Sequence, residues 1–531
     1  MHLHGKNIIG QQLSSEGEKT FSAFAPREAK PLQPLFFEAT QDEIDRALAV
    51  AGRAAGQLRN LPAEAVADFL LAIREEIAAL GDQLIDRATQ ETALGPDRLN
   101  AERDRTLNQI RLFADLVKEG SWVDARIDTA LPDRKPLPRP DIRRMLEPVG
   151  PIAVFGASNF PLAFSVAGGD TVSAFAARNP VVVKAHPAHP GTSELVATAI
   201  AKAVKARSLP DGTFSLLHGL SPDPSLALAA HPQTRAVAFT GSQRAGRALF
   251  DAGARRPDPI PVFAEMGSVN PVFVLPQALE QNTKAIADGL LRSVTLGVGQ
   301  FCTCPGLVFG VAGNPLQQLR EQLVKSFESA PAGTMLNSAI RNGYREKFQT
   351  MSAVAGVASH ASSHSASAER TEAQPGVFTT DSRTWLDNRQ LHEEIFGPAT
   401  ILIECQSAAE LLNVANSLEG TLTATLHGTP EELARHSDLV GVLARKAGRL
   451  IFNGYPTGVE VGHAMHHGGP YPATTDERFT SVGTAAIYRF ARPVCYQGFP
   501  EHLLPPELQN ANPRHIWRLV NGHFTQDPVA P

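Results

Sequence analysis

The chain has 531 residues, enough for about three compact units at roughly 150 residues each. Hydrophobic residues make up 43% and charged residues 19%, which excludes a largely disordered chain. Lys and Arg number 49 against 54 Asp and Glu, so no polycationic surface is offered to nucleic acid, and four cysteines are too few for a disulfide framework.

The first residues, Met1-His-Leu-His-Gly-Lys, lack a basic start followed by an apolar core, so no secretory signal is expected and a cytoplasmic setting is. After a short extended entry the chain turns helical. Thr40-Gln-Asp-Glu43 has capping-box spacing ahead of Ile44, Ala47, Leu48 and Ala51 on one face. Val66, Phe69, Leu70, Ile73, Ile77 and Leu80 continue the period, with Gly81 as the stop. Residues 124–147 are rich in Pro, Arg and Asp and are expected to be an extended arm.

Pro148 to Gly169 carries no charge, yet its prolines and polar residues would leave backbone groups unpaired in lipid. A buried strand, a loop and a helix start in an α/β core are expected instead. From residue 151 short apolar runs recur: Ile152–Phe155, Val181–Val183, Phe214–Leu217, Ala236–Phe239 and Ile260–Phe263. Helical stretches separate them, as in Ser193–Lys205 and Gln243–Ala254. That alternation predicts a parallel sheet covered on both faces. A second region of this kind spans about Asn270 to Asn453, broken at 354–376 by an Ala/Ser/His-rich patch expected to be a surface loop. From about Arg489 the chain is Pro-rich, either an oligomerisation arm or a simple tail.

Four short motifs carry chemistry. Cys302 sits in Gly297-Val-Gly-Gln-Phe-Cys302-Thr-Cys304-Pro-Gly306, where flanking glycines admit a ligand close to a thiol. It reads as a nucleophile or as a buried structural cysteine. Phe239-Thr-Gly241-Ser242-Gln-Arg-Ala-Gly246 follows a strand and opens a helix, an anion site or a plain cap. Glu265, between an apolar run and Gly267, is a general base or a satisfied carboxylate. Asn159, in Phe155-Gly-Ala-Ser-Asn159-Phe-Pro161, is an oxyanion donor or a helix cap. His463-Ala-Met-His466-His467 looks like a metal cluster, but no carboxylate or cysteine lies at ligand spacing, and no metal is expected.

Joined in this order, the motifs resemble the aldehyde dehydrogenase superfamily over roughly residues 20–500. Ser158-Asn159-Phe-Pro161 is similar to the family's Trp-Asn-Phe-Pro element, with Ser158 in place of Trp. Val182-Val-Lys184 resembles its Val-Leu-Lys-Pro strand end, Phe239-Thr-Gly-Ser242 its phosphate-side turn, and Glu265-Met-Gly267 its Glu-Leu-Gly-Gly element, with Ser268 at the second glycine. Gly299-Gln-Phe-Cys302 and Glu394-Ile-Phe-Gly-Pro398 match two further elements.

The resemblance implies an α/β fold with a Rossmann-type cofactor domain, an α/β catalytic domain and a small oligomerisation arm. It places the N-terminal helices and cofactor domain in 1–265, with 124–150 as the arm. The catalytic domain falls in 266–455, and 456–531 return to the cofactor domain and arm. It implies Cys302 as nucleophile, Glu265 as general base and Asn159 as oxyanion donor. Phe155, Lys184, Pro187, Gly241, Ser242, Gly246, Glu394 and Phe396 would contact NADP or NAD. Pro187 stands where a family glutamate often rejects a 2′-phosphate, so NADP is expected to serve at least as well as NAD.

The stretch from Phe452 to Gly483 resembles the branch that contains α-ketoglutaric semialdehyde dehydrogenases and a fatty-aldehyde dehydrogenase of luminous bacteria. A small-molecule aldehyde, no nucleic acid, no membrane and a homo-dimer or homo-tetramer follow as expectations. No cation for a substrate carboxylate emerges, since Arg292 would stand about 15 Å from Cys302 along a continuous helix. A thiol hydrolase using Cys302 with a histidine, and a non-catalytic cofactor binder, are the readings from other classes.

Overall fold

The computed structural model describes residues 2–367 and 370–529. Four short strands between Asn7 and Phe37 precede four helices, Gln41–Leu58, Ala63–Ala78, Gly81–Thr92 and Pro96–Glu119. The Thr40 capping box forms as the sequence predicts, each partner accepting the other's backbone N–H. Ile44, Ala47, Leu48 and Ala51 are buried on one face, and Val66, Phe69, Leu70, Ile73 and Ile77 on the next helix. Gly81, at φ +52°, breaks the chain between two helices.

The first seven-stranded sheet has the order Val262–Glu265, Ala236–Thr240, Ile152–Phe155, Val181–Lys184, Phe214–Leu217, Asn7–Ile9, Gln12–Ser14. Its first five strands are parallel. Ile152–Phe155, Val181–Lys184 and Phe214–Leu217 are buried along their length, as a sheet covered on both faces requires. The strand expected at Ile260–Phe263 runs instead from Val262 to Glu265, because Pro261 has no N–H for the ladder. The uncharged stretch Pro148–Gly169 is a buried strand, a turn and the start of helix Gly169–Ala176. Among the described residues no helix is long and apolar enough to cross a membrane.

A second seven-stranded sheet has the order Ala358–Ala361, Gly376–Asp381, Ala399–Cys405, Leu307–Val311, Val272–Val274, Thr421–His427, Ala447–Phe452. All its neighbours are parallel except the first pair. The patch expected as a surface loop at 354–376 therefore contributes an edge strand, Ala358–Ala361. Backbone pairing alone suffices there, and its side chains are largely exposed. Ala368 and Glu369 of that patch lie outside the described residues.

The arm and the C-terminus build a third sheet, ordered Ala491–Gln497, Ile142–Pro148, Arg126–Asp128, Arg518–Val520, His523–Thr525. The segment after Arg489 is thus no simple tail: Leu508, Ile516 and Arg518 are buried. Pro493 is accommodated because its strand lies at the sheet edge.

Candidate active site

Cys302 stands in a loop between the turn Leu296–Gly299 and the strand Leu307–Val311, at the start of the second sheet. Gly299 has φ +67°, and a Cβ there would come within 2.2 Å of the Gly397 carbonyl. The cysteine loop and the Glu394–Pro398 segment therefore pack backbone to backbone. Amide side chains hold the loop in shape. Asn270 Nδ2 donates to the Cys302 and Cys304 carbonyls at 2.8 and 2.9 Å, and Asn159 Nδ2 to the Gln300 carbonyl at 2.9 Å. Ser268, where the family pattern has glycine, donates to Asn270 Oδ1 at 2.9 Å and accepts the Leu422 N–H at 2.9 Å. The departure thus ties Asn270 to the strand Thr421–His427.

Glu265 ends its strand in a buried position. Its two oxygens are taken by residues of the 452–483 stretch, whose Thr474 bridges Glu265 in the backbone. Ser481 Oγ donates to Oε2 at 2.5 Å, and His467 Nε2 lies 3.0 Å from Oε1. The same Nε2 is 3.6 Å from Cys302 Sγ. His467 is itself fixed by backbone bonds, its N–H to Thr480 Oγ1 at 2.8 Å and its carbonyl from Ser481 N–H at 2.9 Å. Its Nδ1 is buried without a partner.

The electrostatics follow. Burial raises the Glu265 pKa, but His467 and the hydrogen bonds from His467 and Ser481 outweigh it, and the carboxyl lies below its usual range. Burial, then the Glu265 charge, push the Cys302 thiol well above its usual value. The resting pair is a neutral thiol beside a carboxylate. An ionised Glu265 fixes the histidine tautomer: Nε2 carries the proton and donates. Cys304 faces away, its Sγ 3.8 Å from the Val294 carbonyl and its pKa raised by burial.

His467 is the residue that spacing could not reveal. The expectation that no carboxylate or cysteine lies at ligand spacing from the histidine cluster fails in space: the donor atoms of Glu265, Cys302 and His467 lie within 4.8 Å of one another. The Cys–His contact that a thiol hydrolase would need is also present. Of the other two histidines, His463 Nδ1 meets Thr484 Oγ1 at 3.2 Å, and burial lowers the His466 pKa.

The remaining expected residues gather along the ends of the first sheet and beside the cysteine loop. Lys184, paired in register with Phe155 and Leu217, is buried, and no hydrogen bond or ion pair reaches its ammonium among the described residues. Burial pushes its pKa down to about 8, and Glu38 draws it back up. Glu38, which sequence reading missed, accepts from Leu220 N–H at 2.8 Å, Ser221 N–H at 2.7 Å and Ser221 Oγ at 2.9 Å. His186, two residues on, is held neutral by burial. Pro187 is half-buried, and Phe155 is part of the sheet core.

Ser242 caps the helix Gln243–Ala254, accepting the Ala245 N–H at 3.4 Å, and Gly241 leaves that helix end open to solvent. Gly246 packs on Met266, so that a Cβ would lie 2.8 Å from it. Glu394 crosses to the cysteine side: a Cβ on Gly267 would lie 2.3 Å from its Oε2. Burial raises the Glu394 pKa to about 7, and the Ser268 N–H opposes the rise. Phe396 is half-buried two positions further on.

A parallel sheet that carries an open helix N-terminus, an unpaired buried lysine and the Glu265 carboxylate, with a thiol brought beside that carboxylate by a loop of the second sheet, defines a two-sheet α/β enzyme. Residues 13–475 match the Aldehyde dehydrogenase family. The chain is 47% identical over 525 residues to alpha-ketoglutaric semialdehyde dehydrogenase 2 of Azospirillum brasilense, covering 98% of this chain and 99% of that one. It is 45% identical over 525 residues to the alpha-ketoglutaric semialdehyde dehydrogenase of Acinetobacter baylyi, covering 99% of both. A Staphylococcus aureus betaine aldehyde dehydrogenase variant in complex with NAD+ superposes with a TM-score of 0.80 at 18% identity, over 94% of this chain and 98% of that one. A Thermus thermophilus 1-pyrroline-5-carboxylate dehydrogenase variant gives 0.78 at 20% identity, over 93% and 92%. The chain belongs to the aldehyde dehydrogenase family, whose members oxidise aldehydes with NAD(P).

Proposed function

We propose that this enzyme oxidises α-ketoglutaric semialdehyde to 2-oxoglutarate through a Cys302 thioester. The observation that carries the reading is the near-full-length identity of 47% and 45% to two enzymes of that name. The arrangement of Cys302, Glu265 and His467 supports the chemistry. Residues 1–265 would bind cofactor and 266–455 carry the nucleophile, with 456–531 returning to the first lobe.

The chain's own groups account for the steps. The Cys302 thiol adds to the aldehyde, and its proton passes toward Glu265. His467 Nε2–H points between carboxylate and sulfur, so it steadies whichever of them bears the negative charge. The thiohemiacetal oxyanion takes the Cys302 N–H and the second Asn159 Nδ2 hydrogen, each donor worth about 3–4 kcal/mol. A bound nicotinamide supplies the hydride acceptor. Glu265 releases the thiol's proton to solvent and, as a carboxylate again, deprotonates the water whose addition to the thioester expels the Cys302 thiolate.

For the cofactor, the unpaired Lys184 ammonium, the open Ser242 helix end and the Glu394 carboxylate beside Gly267 suit a dinucleotide, with Lys184 and Glu394 on its two riboses. Phe155 and Pro187 would border the Lys184 side, Gly241 and Gly246 line the pyrophosphate, and Phe396 pack near the nicotinamide. Pro187 brings no carboxylate, and both Glu38 oxygens are already engaged. NADP then serves at least as well as NAD. All four cysteines are free, which suits the cytoplasm. Exposed Leu137, Trp517 and Phe524, on and around the third sheet, support a homo-dimer or homo-tetramer built through that arm.

The test is product identification. One equivalent of reduced cofactor and one of 2-oxoglutarate should form per semialdehyde consumed, and an acyl product other than 2-oxoglutarate would refute the reading.

A further inference from the structure

The helix Pro96–Glu119 lays several charged side chains against the aromatic wall beside Cys302. Arg105 is the anomalous one. Its Nε and Nη2 are buried without any partner, and among the described residues no hydrogen bond or ion pair reaches it. Its guanidinium carbon lies 5.3 Å from the Phe164 ring centre and 5.9 Å from that of Phe160. Phe164 in turn stands 6.4 Å from the His467 ring, ring centre to ring centre. Arg105 is thus one aromatic ring beyond the histidine that touches the nucleophile.

The neighbouring charges do not neutralise it. Glu102 spends Oε1 on the Leu162 and Ala163 N–H groups, at 2.9 and 3.0 Å, and its Oε2 faces Arg98 at 3.8 Å. Exposed Glu460 acts on Arg105 only at a distance, as do Cys302 and Glu265. The other guanidinium groups near the thiol, Arg98 and Arg449, are engaged through terminal nitrogens, and Arg449 keeps only its Nε buried without a partner. Arg98 Nη2 donates to the Asn159 carbonyl at 2.9 Å, and Arg449 Nη2 to the Pro456 carbonyl at 2.8 Å. Arg292 is exposed on its helix. A half-buried guanidinium whose Nε and Nη2 are shut off from solvent and unpaired is costly to keep unless a ligand completes it.

We propose that Arg105 binds the carboxylate of the substrate through its free Nε and Nη2, a bidentate pairing that selects short aldehydes bearing an acid at the far end. Nε and Nη2 form one edge of the guanidinium fork, the edge that matches two carboxylate oxygens. An extended five-carbon chain spans about 5 Å from aldehyde carbon to carboxylate carbon. Cys302 and Arg105 are near enough to act on each other electrostatically, and the substrate would lie between them. The proposal rests on the substrate reading above and supplies the cation that the sequence did not disclose.

The experiment compares kcat/KM for α-ketoglutaric semialdehyde and for pentanal in the wild type, Arg105→Met and Arg105→Lys, with saturating cofactor. A ratio taken on one preparation does not depend on the fraction of enzyme that is folded. Arg105→Met should lower the acid-to-pentanal ratio about 100-fold, chiefly through KM, and Arg105→Lys should recover part of it. If the wild type prefers the semialdehyde and Arg105→Met keeps that preference within about threefold, the assignment of Arg105 alone is wrong. Equal losses on both substrates would likewise refute it, as a shape effect of the helix. A wild type that prefers pentanal would overturn the substrate reading and this inference together.

Discussion

His467 Nε2 lies 3.0 Å from Glu265 Oε1, although 202 residues separate the two in the chain. The contact has a chemical consequence because the same nitrogen is 3.6 Å from Cys302 Sγ. One ring nitrogen reaches both a carboxylate and a sulfur that, in the proposed mechanism, exchange a proton. His467→Phe removes that donor and should lower kcat by about 10²-fold or more, whereas His467→Gln, which keeps an N–H, should lose less. Equal activity of His467→Phe in steady-state assays would show that Glu265 needs no help.

Cys302→Ala should abolish aldehyde oxidation, and Cys304→Ala should leave most of it. The two thiols are close in sequence, but Cys304 Sγ points at the Val294 carbonyl, away from Glu265 and His467. A Cys302→Ala enzyme retaining more than roughly a hundredth of wild-type kcat/KM would contradict the covalent route.

Glu265→Gln should still form the thioester, the thiol's proton leaving to solvent instead, but release acid slowly. Rapid mixing should give a burst of reduced cofactor, near one per site, then a steady rate about 10²-fold below wild type. Loss of the burst itself would restrict Glu265 to ionising the thiol.

The Cys302 thiol gives a pH test whose sign is fixed. Burial and the Glu265 charge both raise its pKa. In the enzyme without cofactor, alkylation of Cys302 by iodoacetamide, followed on its own peptide by mass spectrometry, should still be rising above the ordinary thiol range of about 8.5. Glu265→Gln removes the largest charge among the causes, so the profile should move to lower pH. A shift to higher pH would mean that Glu265 favours the thiolate at equilibrium.

The elements with strong local signals were legible in the sequence. The Thr40 capping box, the apolar strands of the first sheet and the helix Gln243–Ala254 announce themselves within a few residues, as do the motifs around Cys302 and Glu265. What escaped was set by distant contacts. His467 belongs to a histidine cluster whose partners come from two other segments, and Asn270 acts through carbonyls of the cysteine loop. Glu38 reaches the Lys184 side from an N-terminal strand region. Arg105 is one arginine among several on a charged helix, and only the absence of a partner in space distinguishes it. The C-terminal strands were hidden by prolines that an edge position tolerates.

The cofactor prediction depends on Lys184, whose pKa burial brings to about 8. Below that pH the ammonium is charged and attracts a 2′-phosphate; above it the attraction fades. NADP should therefore be used at least as well as NAD at neutral pH, and its KM should rise as pH passes about 8 while that of NAD changes less. A kcat/KM favouring NAD by more than about tenfold at neutral pH would contradict the prediction.

The most direct test of the account is a comparison of kcat/KM for α-ketoglutaric semialdehyde and for decanal with the wild-type enzyme, run with both cofactors. The account predicts that the semialdehyde is preferred by at least about tenfold, as a site with one unpaired guanidinium among aromatic walls should discriminate. A preference for decanal of about tenfold or more would make the enzyme a fatty-aldehyde dehydrogenase and contradict the account.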